Sequence, residues 1–250
     1  MTALFIILFF ILGLVFGSFF NVVGLRLPKN IPFTSDRSRC PHCGQALTLM
    51  ENIPLLSFLF LIGKCRNCKG KISILYPAIE LTSGILFAWS FYLLGWQTEL
   101  IIALLLVSML MVILVSDLKY MVIPNSVLLF FLPLFIIFRM LEPLEPWWSS
   151  IAAALTGFLL LALIIIISRG GMGAGDMKLF GLLGIVLGVN KLLMTFFLSA
   201  MIGSIVGVIL LAAKSINRKQ PVPFGPFIVI ASLITYYFGD SLFNWYLYIW

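Results

Sequence analysis

The sequence predicts an all-α polytopic membrane protein of about eight transmembrane helices with one small polar loop. Three observations lead there. The 250 residues are 62% hydrophobic and 10% charged, with a mean hydropathy of +1.16, whereas soluble domains sit near half apolar and a quarter charged. Several apolar runs approach or exceed the ~20 residues that cross a bilayer as a helix. Polar residues concentrate in a single stretch, 26–71.

Taken in order, the first span is expected at 3–25. It could pass for a signal peptide, but it lacks a basic start, and Gly24-Leu25-Arg26 is a poor cleavage site. It is therefore read as a retained helix. The loop 26–71 follows. Further spans are expected at 72–94, 100–116, 121–141, 149–168, 177–190, 192–213 and 222–238, most of them closed by Gly, Pro, Asn or a charge. The aromatic-rich end, 241–250, reads as an interfacial piece. This divides the chain into a first transmembrane helix (1–25), a cytoplasmic four-cysteine loop (26–71) and a membrane core (72–250).

The net charge of +7 fits positive-inside asymmetry better than nucleic-acid binding, and no nucleic-acid partner is expected. With the 26–71 loop placed in the cytoplasm, only Arg139 and Lys191 of the 16 Lys and Arg residues fall outside. Under this topology the span beginning at Met177 has about 20 Å of helix for a hydrocarbon core of ~30 Å. It cannot fuse with the next span, because Lys178 and Lys214 both belong inside. The glycine-rich part of "RGGMGAGDMKLFG" (169–181) that precedes Met177 is then expected to dip into the membrane as non-helical backbone, which is tolerated only against protein or a cavity.

Three acids fall near the inner face: Glu80, Asp117 and Asp176. Asp117 closes the third span in "VSDLKYMVIPN", and Asp176 opens the sixth in "GAGDMK". An acid at a span end can be a solvated interface residue. Two carboxylates at one depth can instead share a proton, one activating water while the other protonates a carbonyl oxygen. Ionisable residues within spans are functional candidates by default. Glu80, about eight residues into its span, reads either as a helper or as a residue snorkelling to the interface.

"CPHCGQ" (40–45) and "CRNCKG" (65–70) are two Cys-x-x-Cys hooks. Four thiolates on two turns suit tetrahedral zinc bound by Cys40, Cys43, Cys65 and Cys68, and cytoplasmic placement argues against disulfides. A closed four-cysteine site leaves no open coordination position, so the zinc would be structural. The chain's single histidine, His42, reads as a loop residue inside the first hook. "IPLLSFLFLIG" (53–63) is too short to span, and either lies on the membrane surface or packs within the loop domain.

Together these segments resemble the type IV prepilin peptidases, membrane aspartyl proteases of Gly-x-Gly-Asp type. The resemblance runs from "GSFFNVVGLRLP" (17–28) through both hooks, "YPAIEL" (76–81), "SDLKYMVIPN" (116–125) and "GAGDMKLFG" (173–181) to "PVPFGPF" (221–227). The compact length looks most like the Gram-positive competence and pilus enzymes. The resemblance implies catalytic aspartates at Asp117 and Asp176, and makes 72–250 the protease core. It also implies prepilin or pseudopilin substrates that lose a short basic leader at the cytoplasmic face. Many such enzymes methylate the new N-terminus with S-adenosylmethionine. No methyl-donor fingerprint is visible in 26–71, so that cofactor rests on the resemblance alone.

Two rival classes fit the sequence less well. A proton- or ion-coupled transporter could use inner carboxylates, but no internal repeat of the kind transporters show is found. A zinc-bearing scaffold would have no reason for two aspartates at one depth. One histidine is too few for a Ser/His protease, and no His-Glu-x-x-His is present. Which pilin is cut and the oligomeric state are not legible.

Overall fold

A computed structural model describes residues 2–32, 38–48, 50–168, 172–214 and 222–249. Among these, every regular element is helical apart from two isolated β-bridges. Six helices are long and apolar enough to cross a membrane, and Asn125–Leu141 is a shorter seventh. The chain divides into two compact units, residues 1–119 and 120–250.

The first unit holds α1 (Thr2–Arg26), the short α2 (Leu56–Phe60), α3 (Leu75–Leu94) and α4 (Thr98–Tyr120). Helices in lipid gain nothing from hydrophobic burial against one another, so small residues that admit close backbones drive their packing. This unit follows that rule. A Cβ on Gly13 would lie 2.5 Å from the Ser83 carbonyl oxygen, and one on Gly17 would lie 2.8 Å from the Glu80 Cα. At the far end Phe9 stacks on Phe91 with centroids 4.7 Å apart, and Trp96 meets Phe5 edge-on at 5.3 Å. Helix α4 is apolar all round and buries residues from Leu100 to Asp117, as a core helix should.

The second unit holds α5 (Asn125–Leu141), α6 (Ser149–Ile167), α7 (Ala174–Ala212) and α8 (Gly225–Ile249). Helix α7 is not one rod. Gly188 sits at φ 74°, ψ 175° inside it, a conformation open essentially to Gly alone. Phe180 and Phe196 lie with ring centroids 6.2 Å apart, whereas a straight helix would separate them by about 24 Å. The chain therefore reverses at Gly188 into two antiparallel limbs, 174–187 and 189–212. Position 184 of the first limb lies against α6, where an added Cβ would come within 2.5 Å of the Ala153 backbone. Arg139 Nη2 donates to the Val186 carbonyl across 2.7 Å, covering one of the acceptors that the end of that limb leaves over. The second limb pairs with α8 through Thr195 and Thr235, whose hydroxyls are 2.6 Å apart, and through a 2.7 Å Lys191–Asp240 ion pair.

Separate helices are thus present where spans were expected at 177–190 and 192–213, the first starting three residues earlier and about 21 Å long. Three expectations are corrected. Residues 174–176, expected as non-helical backbone ahead of the sixth span, form the first turn of α7. The third span runs past Asp117 to Tyr120, so that acid lies within the helix rather than at its end. The terminal piece 241–250 is no separate element, because α8 continues to Ile249. Of the glycine-rich approach to α7, residues 169–171 lie outside the described residues, as do Pro221 of "PVPFGPF" and the side chains of 246–250.

Candidate active site

Asp176 is the third residue of α7. The residue that opens the helix, Gly173, has extended backbone, and the Asp176 N–H donates to its carbonyl across 3.1 Å. A Cβ on Gly173 would sit 3.3 Å from Asp176 Oδ2. The carboxylate therefore folds back over the helix start, where the positive end of the dipole favours an anion. A Cβ on Gly175 would stand 3.0 Å from the Cβ of Ile123. Lys178 Nζ donates to Asn125 Oδ1 across 2.9 Å. The Ile-Pro-Asn turn that opens α5 is thereby packed against the Gly-x-Gly-Asp turn. Asp176 is 9% exposed.

Asp117 belongs to the first unit, on the last turns of α4, and is 5% exposed beside a fully buried Ser116. Neither acid is the solvated interface residue considered from the sequence.

Glu80 is also buried, in the second turn of α3. Leu55 donates its backbone N–H to Glu80 Oε2 across 2.9 Å. Leu55 has φ 61°, an outlier for a bulky side chain, held in a connection that this bond helps to fix. Glu80 is thus held by the loop domain rather than exposed to solvent.

The four cysteines come together. The Sγ atoms of Cys40, Cys43, Cys65 and Cys68 all lie within 4.8 Å of one another, and Cys40 and Cys68 are 3.8 Å apart. The edge of a tetrahedron with Zn–S bonds of ~2.3 Å is about 3.8 Å, so the cluster could hold a metal ion. The hooks repeat one another. Cys40 N–H donates to the Gln45 carbonyl and Cys65 N–H to the Gly70 carbonyl, both at 2.9 Å, and β-bridges join Arg39 to Ala46 and Lys64 to Lys71. Both hooks need a left-handed residue after the second cysteine. Gly44 supplies it at φ 70°, and in the second hook Lys69 does so at φ 58°. Gly70 serves another purpose, since its Cβ would press to 2.8 Å on the His42 ring. His42 Nε2 donates to the Lys71 carbonyl at 3.0 Å, tying the hooks together from inside the first, as its loop position suggested.

The Gln45 backbone N–H holds the Cys43 thiol below its ordinary value. At Cys68 the Gly70 N–H also favours the thiolate, yet desolvation and the sulfurs of Cys43, Cys65 and Cys40 push it up to about 11. Four sulfurs this close resist ionising together, and a bound cation would remove that conflict.

A profile of the bacterial peptidase A24 N-terminal domain matches residues 11–94, and one of the type IV leader peptidase family matches residues 104–208. The chain belongs to the type IV leader peptidase family. Within that family it is 42% identical over 238 residues to the prepilin leader peptidase/N-methyltransferase of Bacillus subtilis, covering 95% of this chain and 96% of the relative. The proteins of that name from Aeromonas salmonicida and Neisseria gonorrhoeae are 35% and 33% identical, covering 96% and 95% of this chain and 93% of each relative. No solved structure gives a significant match. Membership of the leader peptidase family and the apolar helices establish a multi-pass membrane protein.

One polar residue went unread in the sequence. Asn21, 1% exposed in α1, donates from Nδ2 to the carbonyls of Gly17 and Tyr76 at 3.2 and 3.1 Å. The signal was available: an asparagine within an otherwise apolar span, five residues before its end.

Proposed function

We propose that this chain removes the short basic leader from type IV prepilins or pseudopilins at the cytoplasmic face of the cell membrane and then N-methylates the new N-terminal residue. The whole-length likeness to proteins named for both activities carries this reading. Asp117 and Asp176 act as one dyad: one carboxylate takes a proton from water, and the other protonates the scissile carbonyl oxygen. Supporting this, both acids are buried, Asp117 within α4 and Asp176 in the first turn of α7.

The four cysteines hold one structural zinc, which stiffens the loop domain and takes no part in cleavage. The positive-inside bias supports a cytoplasmic loop, on the side where a basic leader would wait. S-adenosylmethionine supplies the methyl group. The transport reading draws no support, since every relative named above carries a peptidase name. Co-expression with a candidate prepilin, read by mass spectrometry, tests the proposal. The expected product lacks its leader and gains the mass of one methyl group; an intact leader across the available prepilins would sink the reading.

A further inference from the structure

The loop domain displays a small apolar surface that neither the aspartates nor the cysteines use. Helix α2 is five residues long, far short of the ~20 that cross a bilayer. Its two faces differ. Ser57, Phe58 and Leu61 turn inward and line a cavity against α1 and α3, and a Cβ on Gly63 would strike the Phe58 ring at 2.9 Å. Leu56, Leu59, Phe60 and, just beyond the helix, Ile62 turn outward, Leu59 being 68% exposed and Phe60 and Ile62 each 82%. We propose that residues 55–63 form a monotopic anchor, in which these four outward side chains enter the hydrocarbon edge of the bilayer while Lys64, Arg66, Lys69 and Lys71 meet anionic lipid headgroups. The anchor does not depend on the reaction proposed above.

Three observations carry it. The first is position. Helix α3 has 20 residues, about 30 Å of helix, which only just matches the hydrocarbon core. Its first turns therefore lie at the membrane boundary. Residues 55–63 are tied to that end of α3 on both sides. The Leu55 N–H donates to Glu80 Oε2 at 2.9 Å, and the Ile72 N–H donates to the Gly63 carbonyl at 2.8 Å, three residues before α3 opens at Leu75. The outward side chains are thereby held at lipid level. The second is a fixed display. Leu55 at φ 61° and Ile62 at φ 51° bracket the helix, and bulky residues keep such angles only where the surrounding structure holds them. Facing water, a patch of this kind is a liability. Facing the interface, an apolar helix face flanked by lysine and arginine is a membrane anchor. The third is charge, which selects the partner. No Asp or Glu occurs from 52 to 79, and Lys64, Arg66, Lys69 and Lys71 are all exposed. A basic peptide, or the same patch on a second copy, would meet like charge, whereas an anionic lipid surface attracts each cation.

The test uses the full-length protein in lipid nanodiscs, with Phe60→benzoylphenylalanine as a photochemical reporter. Phe197→benzoylphenylalanine, on an exposed position of a membrane-spanning helix, is the reference for a side chain in lipid. Both positions are too exposed for the bulkier ring to disturb the fold. Adducts are mapped by mass spectrometry in phosphatidylcholine discs, in discs enriched in phosphatidylglycerol, and with a candidate prepilin added. The reporter at position 60 should label acyl chains within about threefold of the reference yield. Phosphatidylglycerol should raise that yield about twofold or more, and Lys64→Gln, Arg66→Gln, Lys69→Gln and Lys71→Gln combined should remove the rise. If the combined variant fails to accumulate in the membrane, raised salt on the unaltered cations makes the same comparison, because screening weakens exposed charges. A lower yield at position 60, or adducts there on prepilin or on a second copy in place of lipid, would overturn the anchor. Equal yields with and without the anionic lipid would overturn the headgroup contact.

Discussion

Ile123 and Gly175 meet so closely that a methyl group on the glycine would stand 3.0 Å from the isoleucine Cβ. The contact joins the turn that follows Asp117 in the chain to the turn that carries Asp176. Gly175→Ala should therefore push the two turns apart and slow leader cleavage tenfold or more, at an overpacking cost of about 1–3 kcal/mol. Ile123→Gly in the same chain removes the obstructing Cβ and should restore part of the rate. Cleavage assays on the single and double variants check this, and an absence of rescue would show that the glycine serves another purpose.

Asp117→Asn and Asp176→Asn keep size and hydrogen bonding while removing the titratable charge. Each should abolish leader cleavage in a protein that still accumulates in the membrane. Residues acting as a unit are not additive, so the double variant should be no slower than either single one. Near-wild-type cleavage by either variant would refute the dyad.

The purified protein should contain one zinc per chain by elemental analysis. Metal binding requires deprotonated thiols, and Cys68 lies as high as about 11 in the free cluster. Affinity should therefore rise with pH and fall on acidification, with protons released on binding. Cys65→Ser should lose the metal and loosen the loop to proteolysis, while the spans, which satisfy their backbones internally, stay folded. A metal-free wild type of full stability would refute the site.

Lys69 occupies a left-handed conformation that costs an ordinary side chain ~1–2 kcal/mol. Lys69→Gly should strengthen the loop against proteolysis, even though it adds a glycine. Gly70→Ala should weaken it, because the methyl group would strike the His42 ring. Limited proteolysis of the two variants beside wild type would separate these effects, and the same direction of change in both would contradict the hook geometry.

Gly188→Ala should prevent the reversal of α7. The backbone there suits Gly alone, and the new methyl would meet Ser149 Oγ at 2.8 Å. The expected result is a sharp drop in folded protein recovered from membranes, read by gel filtration in mild detergent. Wild-type recovery would show that the two limbs can be joined another way.

The sequence by itself determined the membrane class, the all-helical fold, the cysteine hooks and both aspartates as candidates. Apolar run length and charge bias are local quantities, and a bilayer reads them directly. It even separated the two limbs of α7, because Lys178 and Lys214 demanded one side. Only the tertiary structure decided what Glu80 and Asn21 do. Glu80 could equally have snorkelled, and its burial depends on a backbone N–H 25 residues away. The roles of the glycines were also split by packing alone. Gly188 turns the chain, whereas Gly70 and Gly175 make room for the His42 and Ile123 side chains. A glycine in a sequence announces that a Cβ is unwelcome, and only its neighbours in space say whether the backbone angle or an approaching side chain is the cause.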